Sequence, residues 1–110
     1  MKIHLIKAQT LIDYTKHNSR SISFFEEFSS NLKSADWYQP IDIKSTFNSA
    51  DILGKGTNRV IFNIGGNEYR IICKYRFAET RVRLYIMWIG THAEYDKLCK
   101  KGLQYSISNY

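Results

Sequence analysis

The sequence predicts an α+β domain, and three observations carry that expectation. Apolar residues recur at helical spacing early in the chain, where Leu11, Ile12 and Thr15, and then Phe25, Phe28 and Leu32, share faces. After Gly56 the period changes to two, through segments rich in β-branched and aromatic residues. With 110 residues, 44 % of them hydrophobic and 15 % aromatic, the chain can bury one core and is too short for two, so residues 1–110 read as a single domain.

Each element follows in order. "KIHLI" is a short strand, and "AQTLIDYTKH" places a helix directly after it. In "SFFEEFSSNLKSADW", Ser23 with Glu26 three residues on has the pattern of a capping box, and the helix it would start lays Phe25, Phe28 and Leu32 on the core. The only proline, Pro40, opens a connector that offers no more than a turn of helix near Asp42 to Phe47. Three antiparallel strands come next, "NRVIFNI", "EYRIICKYRF" and "RVRLYIMWI", separated by "GG" and by "AET" with its neighbours. A two-residue turn at Gly65-Gly66 would oppose Phe62 to Tyr69 and Val60 to Ile71. A second loop over residues 78–81 would oppose Ile71 to Trp88, Cys73 to Ile86 and Tyr75 to Leu84. Both registers place Val60, Phe62, Ile71, Cys73, Leu84, Ile86 and Trp88 on one core face, against Phe25, Phe28 and Leu32. Finally, Thr91 with Glu94 repeats the capping-box pattern and Gly102 follows "EYDKLCKK", so a helix starts at His92.

Charge narrows the function. Lys and Arg number 16 against 10 Asp and Glu, a formal charge of +6, which favours a polyanionic partner. The sheet face turned away from the core would hold Arg59, Asn63, Arg70, Ile72, Lys74, Arg76, Arg83, Tyr85 and Met87. Lys74 then lies across from Tyr85, and Arg76 across from Arg83, a like-charge pair that weakens a sheet unless solvent or an anion separates it. A solvated outer face is the alternative, but it would normally mix signs, and the nearby acids, Glu68 and Glu79, sit at the turns. Arg59, Lys74, Arg76, Arg83 and Tyr85 are therefore the candidate RNA contacts. No apolar stretch approaches the roughly 20 residues that span a bilayer, and the first residues turn polar too soon for a signal peptide, so a cytoplasmic protein without a membrane is expected. Cys73 and Cys99 lack metal-ligand spacing and read as thiols, leaving no metal or cofactor motif.

The stretch "WIGTHAEYDK" holds the chemistry. His92 would sit at a helix N-terminus, where unpaired amides and the helix dipole favour a phosphate, and Tyr95 shares that side of the helix. Asp96 and Lys97 read as solvated helix surface. Cutting RNA without a metal requires the ribose 2′-OH to attack its own phosphate, with a base, an acid on the leaving 5′-oxygen and cations around the phosphorus. His92 can serve as acid or base, Arg70 can stabilise the charge through its planar fork, and Lys74 and Arg76 can hold neighbouring phosphates. Tyr95 can stack on a base or bond the phosphate, and a core role for it stays equally open. His4 and His17 lie on the first strand and helix, so no second histidine completes a pair.

The segments "RVIFNIGGNEYRIICKYRF" and "WIGTHAEYDK", preceded by "SADWYQPIDIKSTFNSADIL", resemble the HigB toxins of bacterial toxin–antitoxin modules, within the RelE-like ribonuclease superfamily. The resemblance runs from about Lys2 to Leu98 and is most specific in "FNIGGNEYR" and "THAEYDK". It implies a RelE-like fold, with two N-terminal helices packed on an antiparallel sheet meander and a short C-terminal helix. It also implies a metal-independent messenger RNA interferase working on the translating ribosome. A HigA-type helix-turn-helix antitoxin would neutralise it, so that DNA is met only through that partner. Residue by residue, the resemblance makes Arg70, in its "YR" pair, His92 and Tyr95 the catalytic residues. Many relatives place Arg where this chain has His92, and closely spaced lysines used by some are represented only by Lys55 and Arg59, so acid and base roles stay open. A non-catalytic RNA- or ribosome-binding module is the competing class. A DNA-binding regulator is disfavoured, because no helix carries the cluster of basic and amide side chains a major groove calls for. Residues 103–110 fall outside the resemblance.

Overall fold

The computed structural model describes residues 1–110. In chain order the elements are β1 (Lys2–Ile6), α1 (Gln9–His17), α2 (Ile22–Ser34), α3 (Ile43–Thr46), β2 (Asp51–Ile52), β3 (Arg59–Ile64), β4 (Tyr69–Phe77), β5 (Arg81–Thr91) and α4 (His92–Lys100), with short 3-10 turns at Ser19–Ser21, Pro40–Asp42 and Leu103–Tyr105. The sheet order is β1-β5-β4-β3-β2. The meander of β3, β4 and β5 is antiparallel as expected, but β1 adds to the edge of β5 in parallel, so the sheet is mixed. The fold class is α+β and fits a RelE-like fold.

One face of the sheet carries the main core. Val60, Phe62, Ile71, Cys73, Leu84 and Ile86 pack there with Phe25, Phe28 and Leu32. The connector contributes more than its sequence suggested. Trp37 and Ile43 are fully enclosed, the Trp37 indole N–H donates to Thr46 Oγ1 at 2.9 Å, and the expected turn of helix appears as α3. The capping box at Ser23 and Glu26 does not form. The 3-10 turn Ser19–Ser21 runs straight into α2, so Ser23 already lies inside the helix when it would have to cap it.

Two register corrections shape the site. The β3–β4 turn spans residues 65–68 and not two glycines alone, so Ile64 pairs with Tyr69, Phe62 with Ile71 and Val60 with Cys73. Gly65 and Gly66 both take left-handed conformations, and the Glu68 N–H closes the loop onto the Gly65 carbonyl at 3.3 Å. A shift of two residues keeps every side chain on its face, which is why the core expectation survived it. The second correction does not preserve faces. Cys73 pairs with Ile86 as expected, yet Ile72 pairs with Trp88 and Ile71 with Ile89, leaving Met87 as an extra residue in β5. This bulge flips the alternation beyond it. Trp88 therefore leaves the helix-side core and joins Ile61, Ile72 and Leu98 on the other face, while Ile89 takes a place in the main core.

Candidate nucleic-acid interface

The face away from α1 and α2 is not one open basic surface. Leu98 brings α4 down on Ile61, Ile72 and Trp88, an apolar row contributed by β3, β4 and β5. Ile72, expected in the exposed set, is fully buried. The row divides the cations. Arg70 lies beyond one side of it and Lys74 beyond the other, roughly 13 Å apart along β4 at about 3.3 Å per residue.

Arg70 is held from three sides. Its Nη1 donates to the Tyr69 carbonyl at 3.1 Å, its Nη2 donates to Asn67 Oδ1 at 3.3 Å, and its guanidinium carbon lies 6.0 Å from the centroid of the Tyr95 ring. The side chain is only 7 % exposed, and no carboxylate pairs with it. A buried guanidinium without an acidic partner keeps its full attraction for an incoming anion. Asn67, supplied by the β3–β4 turn, escaped the sequence reading, although it sits inside the distinctive "GGNEYR" run. In the register Arg70 faces Gly90. A Cβ on Gly90 would come within 2.4 Å of Trp88 Cη2, so glycine lets the indole lie against the backbone beside Arg70.

The start of α4 corrects another expectation. Its capping box forms as foreseen, with the Glu94 N–H donating to Thr91 Oγ1 at 3.2 Å and the Thr91 N–H to Glu94 Oε1 at 2.8 Å. The His92 N–H donates to the Glu68 carbonyl at 3.0 Å. The amides of Thr91, His92 and Glu94 are thus already partnered and the Glu94 carboxylate sits among them, which makes this terminus a poorer phosphate cradle than its sequence suggests. His92 stands at this terminus with its ring about half exposed and Nε2 3.4 Å from Asp96 Oδ2. Asp96 had been read as plain helix surface; its position four residues after His92 was the signal that the two meet. Tyr95 takes the packing role left open for it. Its ring packs on Trp88, centroids 6.1 Å apart, and presents a face to Arg70. Burial, followed by the Cys99 thiol, pushes its phenol well above the ordinary tyrosine range, so Tyr95 keeps its proton and is unsuited to act as a base.

Beyond the apolar row, a groove of about 710 Å³ gathers Arg59, Lys74, Arg76, Tyr85, Met87 and Ser108. Lys74 and Arg76 are exposed, and neither makes an ion pair. Arg83 faces Arg76 across the β4–β5 ladder, as expected, and lies outside the groove lining. Arg59 is 7 % exposed and committed elsewhere, its Nη1 donating to the carbonyls of Ile107 at 2.8 Å and Gln104 at 3.3 Å. The helical face offers a hollow of about 490 Å³ between α1 and α2, floored by Leu11 and Phe25, whose single cation, Lys33, shares it with Glu26. The unpaired cations thus gather on the sheet face and not in the helical hollow.

With this geometry in place, comparison with known proteins is decisive for the family. The family described as HigB_toxin, RelE-like toxic component of a toxin-antitoxin system, matches residues 23–98. The chain belongs to the HigB toxin family. Among curated HigB proteins, the mRNA interferase toxin HigB of Escherichia coli (strain K12) is 28 % identical over 98 residues, covering 86 % of this chain and 88 % of that protein. The mRNA interferase HigB of Shigella flexneri aligns with the same figures. The HigB match takes in Arg70, His92, Tyr95, Asn67 and the cations of the groove, and it stops at Leu98, before the segment that engages Arg59.

Proposed function

We propose that this HigB-family chain is a messenger RNA endoribonuclease that needs no metal, acts in the cytoplasm on the translating ribosome, and is silenced by a HigA-type helix-turn-helix antitoxin. The relatives named as mRNA interferases support the substrate. The observation that carries the chemistry is Arg70, buried, free of any acidic partner and held beside the helix that presents His92. In this reading a ribose 2′-oxygen forms a bond to the adjacent phosphorus as the bond from phosphorus to the 5′-oxygen breaks. The 2′-proton passes to a base and a proton is delivered to the leaving oxygen. His92 serves one of these transfers, Arg70 stabilises the charge that builds on the phosphorus oxygens, and Tyr95 holds Arg70 from below while keeping its own proton. Lys74, Arg76, Arg83 and Tyr85 hold the flanking strand, with Arg59 in reserve. DNA is reached only through the antitoxin.

The test is to express the chain in growing cells without an antitoxin and to map messenger ends on translating ribosomes. New 5′ ends inside messenger RNA, appearing before growth stops, are expected. Growth arrest with intact messengers would instead favour a non-catalytic module that only occupies RNA or the ribosome.

A further inference from the structure

Residues 103–110 cross the sheet face after Gly102, in a left-handed conformation, turns the chain out of α4. Their path is fixed by a few contacts. The carbonyls of Gln104 and Ile107 accept from Arg59 Nη1, the Tyr105 ring lies under Lys55 with the ammonium 4.9 Å from its centroid, and the Asn109 N–H donates to the Met87 carbonyl at 2.8 Å. Ile107 touches the edge of the Ile61, Ile72, Trp88 and Leu98 cluster. Ser108 forms part of the groove wall beside Lys74 and Tyr85. The segment therefore ties up two cations next to the groove, and its carbonyl oxygens take the place that phosphate oxygens would take on Arg59.

The strap is also built to leave. Its hold consists of two backbone acceptors, the Asn109 N–H, one cation–π contact, one partly buried isoleucine and Tyr110 beside Tyr14 of α1, with no strand of its own in the sheet. The Gln104 Oε1 atom is buried without a hydrogen-bond partner, a cost that release of the segment removes.

We propose that residues 103–110 form a releasable strap that competes with RNA for Arg59 and Lys55, so that full engagement of the RNA strand requires the strap to lift. The inference rests on the RNA-cutting function proposed above and adds a regulated state to the same site.

The probe is a single-stranded RNA oligonucleotide with methylated 2′-oxygens, which binds without being cut. Two full-chain variants loosen the strap: Asn109→Pro, which deletes the donor to the Met87 carbonyl, and the same change combined with Ile107→Ser. Both are expected to bind the probe more tightly at low salt. The salt dependence should steepen by one to two phosphates, about 0.7 each in the slope of log affinity against log salt. Between 50 and 200 mM salt that is roughly a three- to sevenfold larger loss than the native chain shows. Adding Arg59→Ala to either variant should remove most of the gain. In the native chain, the amides of Ile107 and Asn109 should exchange with solvent faster when the probe is bound. Unchanged exchange at these amides with RNA bound, or loosened variants that bind no more tightly, would overturn the strap while leaving RNA binding by the chain intact. Absence of probe binding by the native chain and by every variant would instead remove the proposed function, and the strap with it.

Discussion

The Arg70 guanidinium sits over the Tyr95 ring, and its far edge is held by Asn67 from the β3–β4 turn. A strand, a turn and a helix thus meet on one cation. Replacing Asn67 with Asp should form an ion pair with Arg70 and neutralise it toward phosphate, slowing messenger cleavage by about tenfold or more, whereas Asn67→Ala should cost less. Tyr95→Phe keeps the ring under Arg70 and should be milder than Tyr95→Ala, which removes both the ring and its packing on Trp88. Cleavage rates at saturating RNA check the order. Equal rates for Asn67→Asp and the native chain would separate Arg70 from the chemistry.

Gly90 should tolerate no side chain. A methyl there would overlap Trp88 Cη2 and Cζ2, so Gly90→Ala should destabilise the fold by roughly 1–3 kcal/mol through displacement of the indole. Denaturant unfolding measures this. In a Trp88→Leu background the penalty should shrink to what the contact with Glu94 Oε1 at 3.0 Å leaves, and an undiminished penalty there would show that the indole is not the cause.

Alkaline pH should unfold the protein early. Burial, with the Glu94 carboxylate adding to it, pushes the Tyr14 phenol up to about 12, and Tyr95 is raised as well. The unfolded chain loses these protons near pH 10 while the folded chain still holds them, so stability is fully present below about pH 10 and falls as pH rises toward the folded value. Thermal midpoints between pH 8 and 12 should decline, with a shallower decline in Tyr14→Phe. Parallel curves for the two proteins would contradict this origin.

The groove cations should act on binding more than on turnover. Lys74→Ala and Arg76→Ala are each expected to raise the RNA concentration for half-maximal cleavage and to lower the salt slope by about 0.7. Titration at two salt concentrations reads both effects. An affinity indifferent to salt in the native chain would make its charge incidental.

Much of this was legible in the sequence because period reports faces. The phase of β3 and β4 followed from Val60, Phe62, Ile71 and Cys73 alone, and an error of two residues in their turn left it unharmed. A bulge has no such protection. Nothing in "RVRLYIMWI" marks Met87 as the extra residue, so Trp88 and everything after it moved by one place, and Arg70 came to face Gly90. The sequence offers Arg70, His92 and Tyr95 as the candidate site because they fall in distinctive segments, and the fold brings Arg70 and Tyr95 together. Their supports were less so, since Asn67 and Asp96 become visible only when a turn and a helix bring short polar side chains to their partners. Arg59 was assigned to the exposed face from alternation, which is silent about a later segment crossing over it. The ordinary capping box at Thr91 was foreseen, but not that satisfying those amides removes them from phosphate binding.

The rate of messenger cleavage by Arg70→Ala, measured on programmed ribosomes beside the native chain and His92→Ala, bears most directly on the proposed site. Loss of transition-state stabilisation worth on the order of 3 kcal/mol predicts roughly a hundredfold slower cleavage by Arg70→Ala with the fold intact. His92→Ala should also be slowed. Native cleavage rates and full growth arrest by both variants would contradict the placement of the active centre at the junction of β4 and α4.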